Sequence, residues 1–187
     1  NTSTNTLGLT AGLVYELDSE PSGGYPYKRW PRTPVKEGVR LNLVFRSGIN
    51  ESDVVGSGQF PFYIFSAYAD KRLGQLSAIH VGTEVFYSNF LKELIRFQSN
   101  SFPELNVAPD ADFRRVGLTV GHELFINRLS VLAQLGYYIY YPFDFEGRVY
   151  NRVGIKRYFG QKWFGAISLK SHGAKAEAIE LGVGIRL

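Results

Sequence analysis

Three histidines, with carboxylates and basic residues at even spacings around them, carry whatever side-chain chemistry this 187-residue chain can do. His80 and Glu84 stand four residues apart, which in a β-strand puts both on one face, where an imidazole and a carboxylate could exchange a proton. No nucleophile stands in register with them, so a structural pair is the plainer reading. His122, in Val120-Gly121-His122-Glu123, shares a row with Val120 and Leu124 and reads as an interfacial ring. His172, in Ser171-His172-Gly173-Ala174-Lys175, reads as part of a loop between two strands, where a simple turn is the plainer reading and contact with a lipid headgroup the functional one. Cysteine is absent, which removes thiol and disulfide chemistry. No His or carboxylate set has metal-ligand spacing, so no metal and no cofactor is expected.

The elements that must hold these residues are legible in alternation. In Gly38–Arg46, Val39, Leu41, Leu43 and Phe45 share one face, while Arg40, Asn42, Val44 and Arg46 share the other. At the C-terminus Ile179, Leu181, Val183, Ile185 and Leu187 alternate with Glu180, Gly182, Gly184 and Arg186. The uncharged run Leu129–Phe143, LSVLAQLGYYIYYPF, is too short for a membrane helix of about 20 residues but fits a transmembrane strand of about 9–11. Leu129, Val131, Ala133, Leu135, Tyr137, Ile139 and Tyr141 form one row, of which Leu129, Val131, Ala133, Leu135 and Ile139 are predicted to face lipid while the tyrosines mark the exit from the bilayer. Similar alternation occurs in Leu7–Glu16, Phe60–Lys71, Leu76–Ser88, Arg115–Phe125, Val149–Phe159 and Trp163–Ser171. Short turns at Arg72-Leu73-Gly74, Ile126-Asn127-Arg128 and Gly160-Gln161-Lys162 alternate with longer connections at Gly48–Gln59, Asn89–Asp112, Pro142–Gly147 and His172–Ala178. That rhythm is the habit of outer-membrane barrels, which as single bacterial chains have an even strand number. The expected fold is one all-β domain over residues 1–187, an antiparallel transmembrane β-barrel. It has eight strands from Gly38 onward, or more if Leu7–Glu16 pairs with upstream sequence.

If the apolar rows face outward, the opposite rows line the interior. They supply His80, Glu84, Thr119, Glu123, Gln134, Arg152, Lys156, Lys170, Glu180 and Arg186. Opposite charges in a narrow bore can pair and offset their desolvation, which makes a structural salt-bridge lumen the leading reading over a transport pathway or a catalytic pocket. Rings at the membrane boundary keep an apolar body buried and a polar tip wet, and Trp30, Tyr137, Tyr141 and Trp163 are the interface candidates. Charge-lined rows also argue against a soluble barrel that carries a small ligand, which would need an apolar inside.

Two segments depart from the strand pattern. Residues 18–37 hold Pro21, Pro26, Pro31 and Pro34 and read as an irregular loop. Within the long loop 89–112, Asn89–Gln98 spaces Phe90, Leu91, Leu94 and Ile95 as a short amphipathic helix at an interface or over the barrel rim. Tyr25-Pro26-Tyr27-Lys28-Arg29-Trp30-Pro31-Arg32 could stack on bases, lie among lipid phosphates, or be a solvated loop with neither role, and in a barrel the lipid reading outranks the nucleic-acid one. The formal charge of +4 is small and spread along the chain, so nucleic acid is not an expected partner. Membrane lipid and lipopolysaccharide are, with outer-membrane proteins as further partners. The chain opens on Asn1 and holds no Met, as expected of a processed protein or a fragment.

The C-terminal third resembles a known family, and the resemblance extends over Gly38–Leu187. Val116-Gly-Leu-Thr-Val-Gly-His-Glu123, Arg128-Leu-Ser, Gln134-Leu-Gly-Tyr137, Tyr141-Pro142, Arg152-Val-Gly-Ile-Lys156 and Leu169-Lys-Ser-His-Gly-Ala-Lys-Ala-Glu177 are similar to outer-membrane proteins of the lipid A deacylase, or acyloxyacyl hydrolase-like, family. Gly38-Val-Arg-Leu-Asn and Gln59-Phe-Pro-Phe-Tyr63 are compatible with it. The resemblance implies a barrel in the outer membrane of a Gram-negative bacterium, with lipid A as substrate. It also implies ester hydrolysis by a His-x-Ser pair near the C-terminal end, oriented by a Glu farther along. This chain has no His-x-Ser. His172 is nearest, with Glu177 and Glu180 downstream, but Ala174 occupies the serine position. The scaffold carries over and no catalytic residue does, which leaves a non-catalytic structural or accessory subunit of an outer-membrane assembly or export complex as the alternative to a lipid A hydrolase.

Overall fold

The computed structural model describes residues 35, 37–51, 58–173 and 175–187. Eight antiparallel strands close into one barrel in sequence order, β1 Arg40–Glu51, β2 Gln59–Arg72, β3 Ser77–Ser88, β4 Arg115–Ile126, β5 Leu129–Tyr140, β6 Val149–Phe159, β7 Trp163–His172 and β8 Lys175–Arg186. Closure comes from β1 against β8, where Asn42 faces Arg186 and Ser47 faces Leu181. A closed sheet leaves no unpaired edge, the condition for a strand protein to sit in hydrocarbon. No helix among the described residues is long and apolar enough to cross a membrane.

Polarity is inverted relative to a water-soluble core. Leu41, Val81, Val120, Leu135, Ile155, Ile167 and Leu181 are exposed on the outside, while Arg46, Glu84, Arg152, Lys156 and Glu180 are buried inside. Strands of 10–14 residues suffice for a tilted crossing. Aromatic side chains fill the bore where the facing strand carries glycine. A Cβ on Gly136 would stand 2.1 Å from Cζ of Tyr150, and one on Gly184 would stand 2.3 Å from Cζ of Phe164.

Several boundaries differ from the alternation reading. β1 runs on to Glu51, which pairs with Gln59, so the first long connection is shorter than expected. β8 starts at Lys175 rather than near Ile179, and Gly173 (φ +59°) helps turn the chain, so the predicted long connection at His172–Ala178 is a tight turn. Tyr141 is corrected from the membrane interface to the interior. Val116 pairs with Tyr140 and Gly117 with Tyr138, leaving Ile139 as an extra residue, a bulge that turns Ile139 and Tyr140 both outward. Tyr141 then comes out of phase, is buried, and stacks on Tyr138 at 5.2 Å. Tyr137 and Trp163 lie exposed on the outer surface. The Leu7–Glu16 strand, Trp30 and nearly all of the Pro-rich loop fall outside the described residues.

At the long-loop end, α1 spans Asn89–Ser101. Its apolar stripe, Phe90, Leu91 and Ile95, is buried with Phe143 against Phe60, Phe113 and Phe145. The helix therefore docks on the neighbouring long loops over the barrel mouth.

Candidate functional site

The inward row of each strand delivers charges to the bore in three tiers. Nearest the short turns, Arg186 pairs with Asp70, which also accepts from Asn42. Lys156 donates to Glu123 at 2.7 Å and to the Tyr68 hydroxyl at 2.8 Å, and Tyr158 and Ser130 also donate to Glu123. His80 lies in this tier with its ring 5.1 Å from that of Tyr68.

Arg152 organises the middle tier. Its guanidinium donates to both oxygens of Glu180 at 2.6 and 3.0 Å, to both of Glu84 at 2.7 and 2.8 Å, and to Gln134 at 2.7 Å. Glu84 also accepts from Arg46 at 3.0 Å, Ser66 at 2.8 Å and Tyr150 at 2.9 Å. Such planar, bidentate pairing is what lets an arginine between two carboxylates offset the cost of burial. The contemplated acid–base pairing of His80 with Glu84 does not occur, because arginines, a serine and a tyrosine take up the Glu84 carboxylate.

The third tier lies at the long-loop mouth and gathers Arg115, Lys170, Glu177, His172, Glu146 and Lys175. Glu177 accepts from Arg115 at 3.0 Å and from Lys170 at 2.5 Å. Nδ1 of His172 lies 3.1 Å from Glu177 and 3.2 Å from Glu146, and Lys175 reaches Glu146 at 2.7 Å. The ring of His172 is buried beside those of Tyr138 and Tyr150, at 5.9 and 6.3 Å. Burial works to raise the Glu146 carboxyl, but the adjoining His172 and Lys175 outweigh it and hold it below the usual carboxylate range. On the rim, hydrogen bonds from Arg114, supported by Tyr140, bring Asp112 down to about 2.

A local slip builds this tier. Lys170 pairs with Ala178 and Ser171 with Ala176, so Glu177 is the extra residue of a bulge. In strict alternation with Ala178 and Glu180, Glu177 would point to lipid, whereas the bulge leaves its side chain 9 % exposed against Arg115 and Lys170.

The ten residues expected in the lumen, His80, Glu84, Thr119, Glu123, Gln134, Arg152, Lys156, Lys170, Glu180 and Arg186, are all buried. The structure adds Arg46, Asp70, Arg115, Tyr150 and Glu177 to them. Arg46 and Asp70 lie on inward rows in plain alternation and could have been found; Glu177 could not, because a bulge leaves no alternation to follow. His122 is exposed and bonded through Nε2 to Ser77 at 2.6 Å.

Chemically, the third tier holds a histidine beside two carboxylates. Nδ1 of His172 faces the carboxylates of Glu146 and Glu177, and Nε2 has no hydrogen-bond partner among the described residues, so Ser171 does not serve it as a nucleophile. Donor atoms of Glu146, His172 and Glu177 lie within 4.8 Å of one another, a spacing that suits a divalent cation. Arg115 and Lys170 already neutralise Glu177, however, and Lys175 does the same for Glu146, so the cluster is closed by its own cations.

The pattern of an outward apolar band, a charge-filled bore and a histidine–carboxylate group at the mouth coincides with a family match. Residues 39–187 match the family model described as the acyloxyacyl hydrolase, C-terminal domain. Comparison with curated proteins finds no match.

Proposed function

We propose, from the premise that this chain belongs to the acyloxyacyl hydrolase family, that it is an integral outer-membrane barrel of a Gram-negative bacterium. We infer that it engages lipid A in the outer leaflet without the serine-based ester hydrolysis of active relatives. The inverted polarity of a closed eight-stranded barrel carries the membrane reading, since that outer surface is stable only against hydrocarbon. Family membership supports lipid A as the ligand. Two features support the absence of the serine route: Ala174 follows His172 by two residues, and the His172 ring is buried without a hydroxyl partner. An alanine methyl cannot be deprotonated to attack an ester.

The test is incubation of the purified protein with lipopolysaccharide, followed by mass spectrometry of lipid A and of the protein–lipid complex. The expected result is retained lipopolysaccharide with every acyl chain intact. Loss of an acyl chain would overturn the non-hydrolytic reading, and failure to retain lipopolysaccharide would overturn lipid A engagement. Recovery of folded protein in detergent-free buffer would overturn membrane insertion.

One observation favours a second reading, an accessory subunit. Phe97 and Phe102 pack edge to face at 5.8 Å and remain 47 % and 40 % exposed at the long-loop end, an apolar spot of the kind protein partners cover. Purification from native membranes with a stoichiometric partner, lost on Phe97→Ser, would establish it.

A further inference from the structure

The outer wall is not uniformly convex. Between β5 and β8 it carries a groove of about 920 Å³ whose lining includes Val131, Val153, Ile155, Ile167 and Leu181, with Arg157 as its one charged residue. Gly165 helps form it. This residue lies on the outward row of β7, opposite Arg157 on β6 and Val183 on β8, where its neighbours in the row, Trp163 and Ile167, project large side chains. A Cβ there would meet only the ring of Phe159 at 3.4 Å and the Gly182 carbonyl at 3.9 Å, so no packing demand from the barrel explains the missing side chain.

Charge at one end of the groove adds a second feature. Arg157 is joined at the short-turn end by Arg128 in the β4–β5 turn and Lys162 in the β6–β7 turn, all exposed. None of the three forms an ion pair with a described residue, and no Asp or Glu occurs between Gly154 and His172. Phe159 and Trp163 stand exposed at the same level, as rings do at a headgroup boundary. From Phe159 to Val153 the β6 wall of the groove extends roughly 20 Å at about 3.3 Å per residue, which after tilt matches one leaflet of a bilayer about 30 Å thick. An apolar trough one leaflet deep with uncompensated cations at its headgroup end is complementary to an anionic amphiphile.

We propose that this groove seats one anionic glycerophospholipid of the leaflet at the short-turn side. Its phosphate meets Arg157, Arg128 and Lys162, and an acyl chain lies over Ile155, Ile167 and Leu181 in the notch left by Gly165. The proposal rests on the outer-membrane reading, in which short turns face the periplasm and the adjoining leaflet is phospholipid. It is separate from the lipid A reading, which concerns the opposite leaflet.

The test uses the full chain, inserted into vesicles and extracted in mild detergent, with native mass spectrometry of retained lipid from equal mixtures of phosphatidylglycerol and phosphatidylcholine. The wild type is expected to retain phosphatidylglycerol several-fold over phosphatidylcholine. R128Q/R157Q/K162Q should abolish that preference, and Gly165→Leu should reduce retention of both lipids. The control K92Q/R96Q/R114Q, which removes as many charges at the other end, should behave as wild type. Equal retention of the two lipids by the inserted wild type would overturn the seat while leaving the barrel reading intact, and so would equal losses in the control and the triple variant. Failure to insert would overturn both.

Discussion

Replacing Arg152 with leucine tests whether the lumen network holds the barrel closed. Arg152 is 0 % exposed, and its five hydrogen bonds go to Glu84, Glu180 and Gln134. The two carboxylates depend on it unequally. Glu84 keeps Arg46 at 3.0 Å, Ser66 at 2.8 Å and Tyr150 at 2.9 Å. Glu180 keeps only Ser168 at 2.8 Å and the more distant Arg46 Nε at 3.8 Å. The substitution therefore strands one buried carboxylate, and breaking a buried pair from one side costs about 3–5 kcal/mol. At about 1.4 kcal/mol per factor of ten, the folded-to-unfolded ratio falls by roughly two to four powers of ten. Urea titration of folding into lipid vesicles, extrapolated to water, measures this loss. The double variant Arg152→Leu/Glu180→Leu removes the stranded charge and is expected to be more stable than Arg152→Leu alone, with a coupling in the range of about 0.5–3 kcal/mol. A single-variant cost below about 1 kcal/mol, or strictly additive losses in the double variant, would refute the network as a source of closure.

Val183 is 50 % exposed on the outward row opposite Phe45, and Val183→Arg should cost about 2–4 kcal/mol near the midplane in the same titration; unchanged stability would argue that this face does not meet lipid. Gly136→Ala drives a methyl into the Tyr150 ring and should cost about 1–3 kcal/mol, less in a Tyr150→Leu background, and equal costs in both backgrounds would sink the packing argument. Glu146 has its folded pKa below the unfolded value near 4.5, so its contribution is present above that value and lost as pH falls through the folded one. Hydrogen-exchange protection in residues 142–148, taken relative to the intrinsic rate at each pH, should accordingly fall as pH drops below about 4.5 in wild type and be lower at all pH values above that in Glu146→Gln, whereas wild-type protection that does not change with pH would contradict the pairing. Ala174→Ser restores the serine in sequence, but with His172 buried between Tyr138 and Tyr150 it should leave lipid A acyl chains intact; acyl loss on mass spectrometry would show that the ring is accessible.

The barrel was legible because hydrocarbon outside and charges inside impose a two-residue period that few other folds produce. Val149–Phe159 shows this best: Arg152 and Lys156 fall on one face, Val153 and Ile155 on the other, and the predicted bounds are those of β6. The bore residues followed from the same period. The partner of each charge did not, because pairing depends on strand register and on tiers that join distant segments: Arg152 meets Glu84 across 68 residues of sequence. Alternation also failed at the long-loop mouth, where bulges at Ile139 and Glu177 reset the phase and sent Tyr141 and Glu177 inward.

Those two slips bear on what the mouth can do. With Glu177 directed to lipid, as alternation alone would have it, Arg115 and Lys170 would be left as buried cations without their carboxylate, and Nδ1 of His172 would have only Glu146 beside it. Tyr141 directed to lipid would remove the ring that stacks on Tyr138 above the His172 site. The bulges thus turn a row end that would have been a lipid-facing rim into a closed, charge-balanced plug that holds the histidine in place. A histidine held in this way, with carboxylates on one side and tyrosine rings nearby, has the orienting half of a hydrolytic site. Where the family resemblance would place the attacking serine, between His172 and Lys175, the sequence supplies glycine and alanine. With the described mouth residues paired among themselves and no His-x-Ser in the chain, the outer wall is the surface to which the proposed phospholipid seat is assigned.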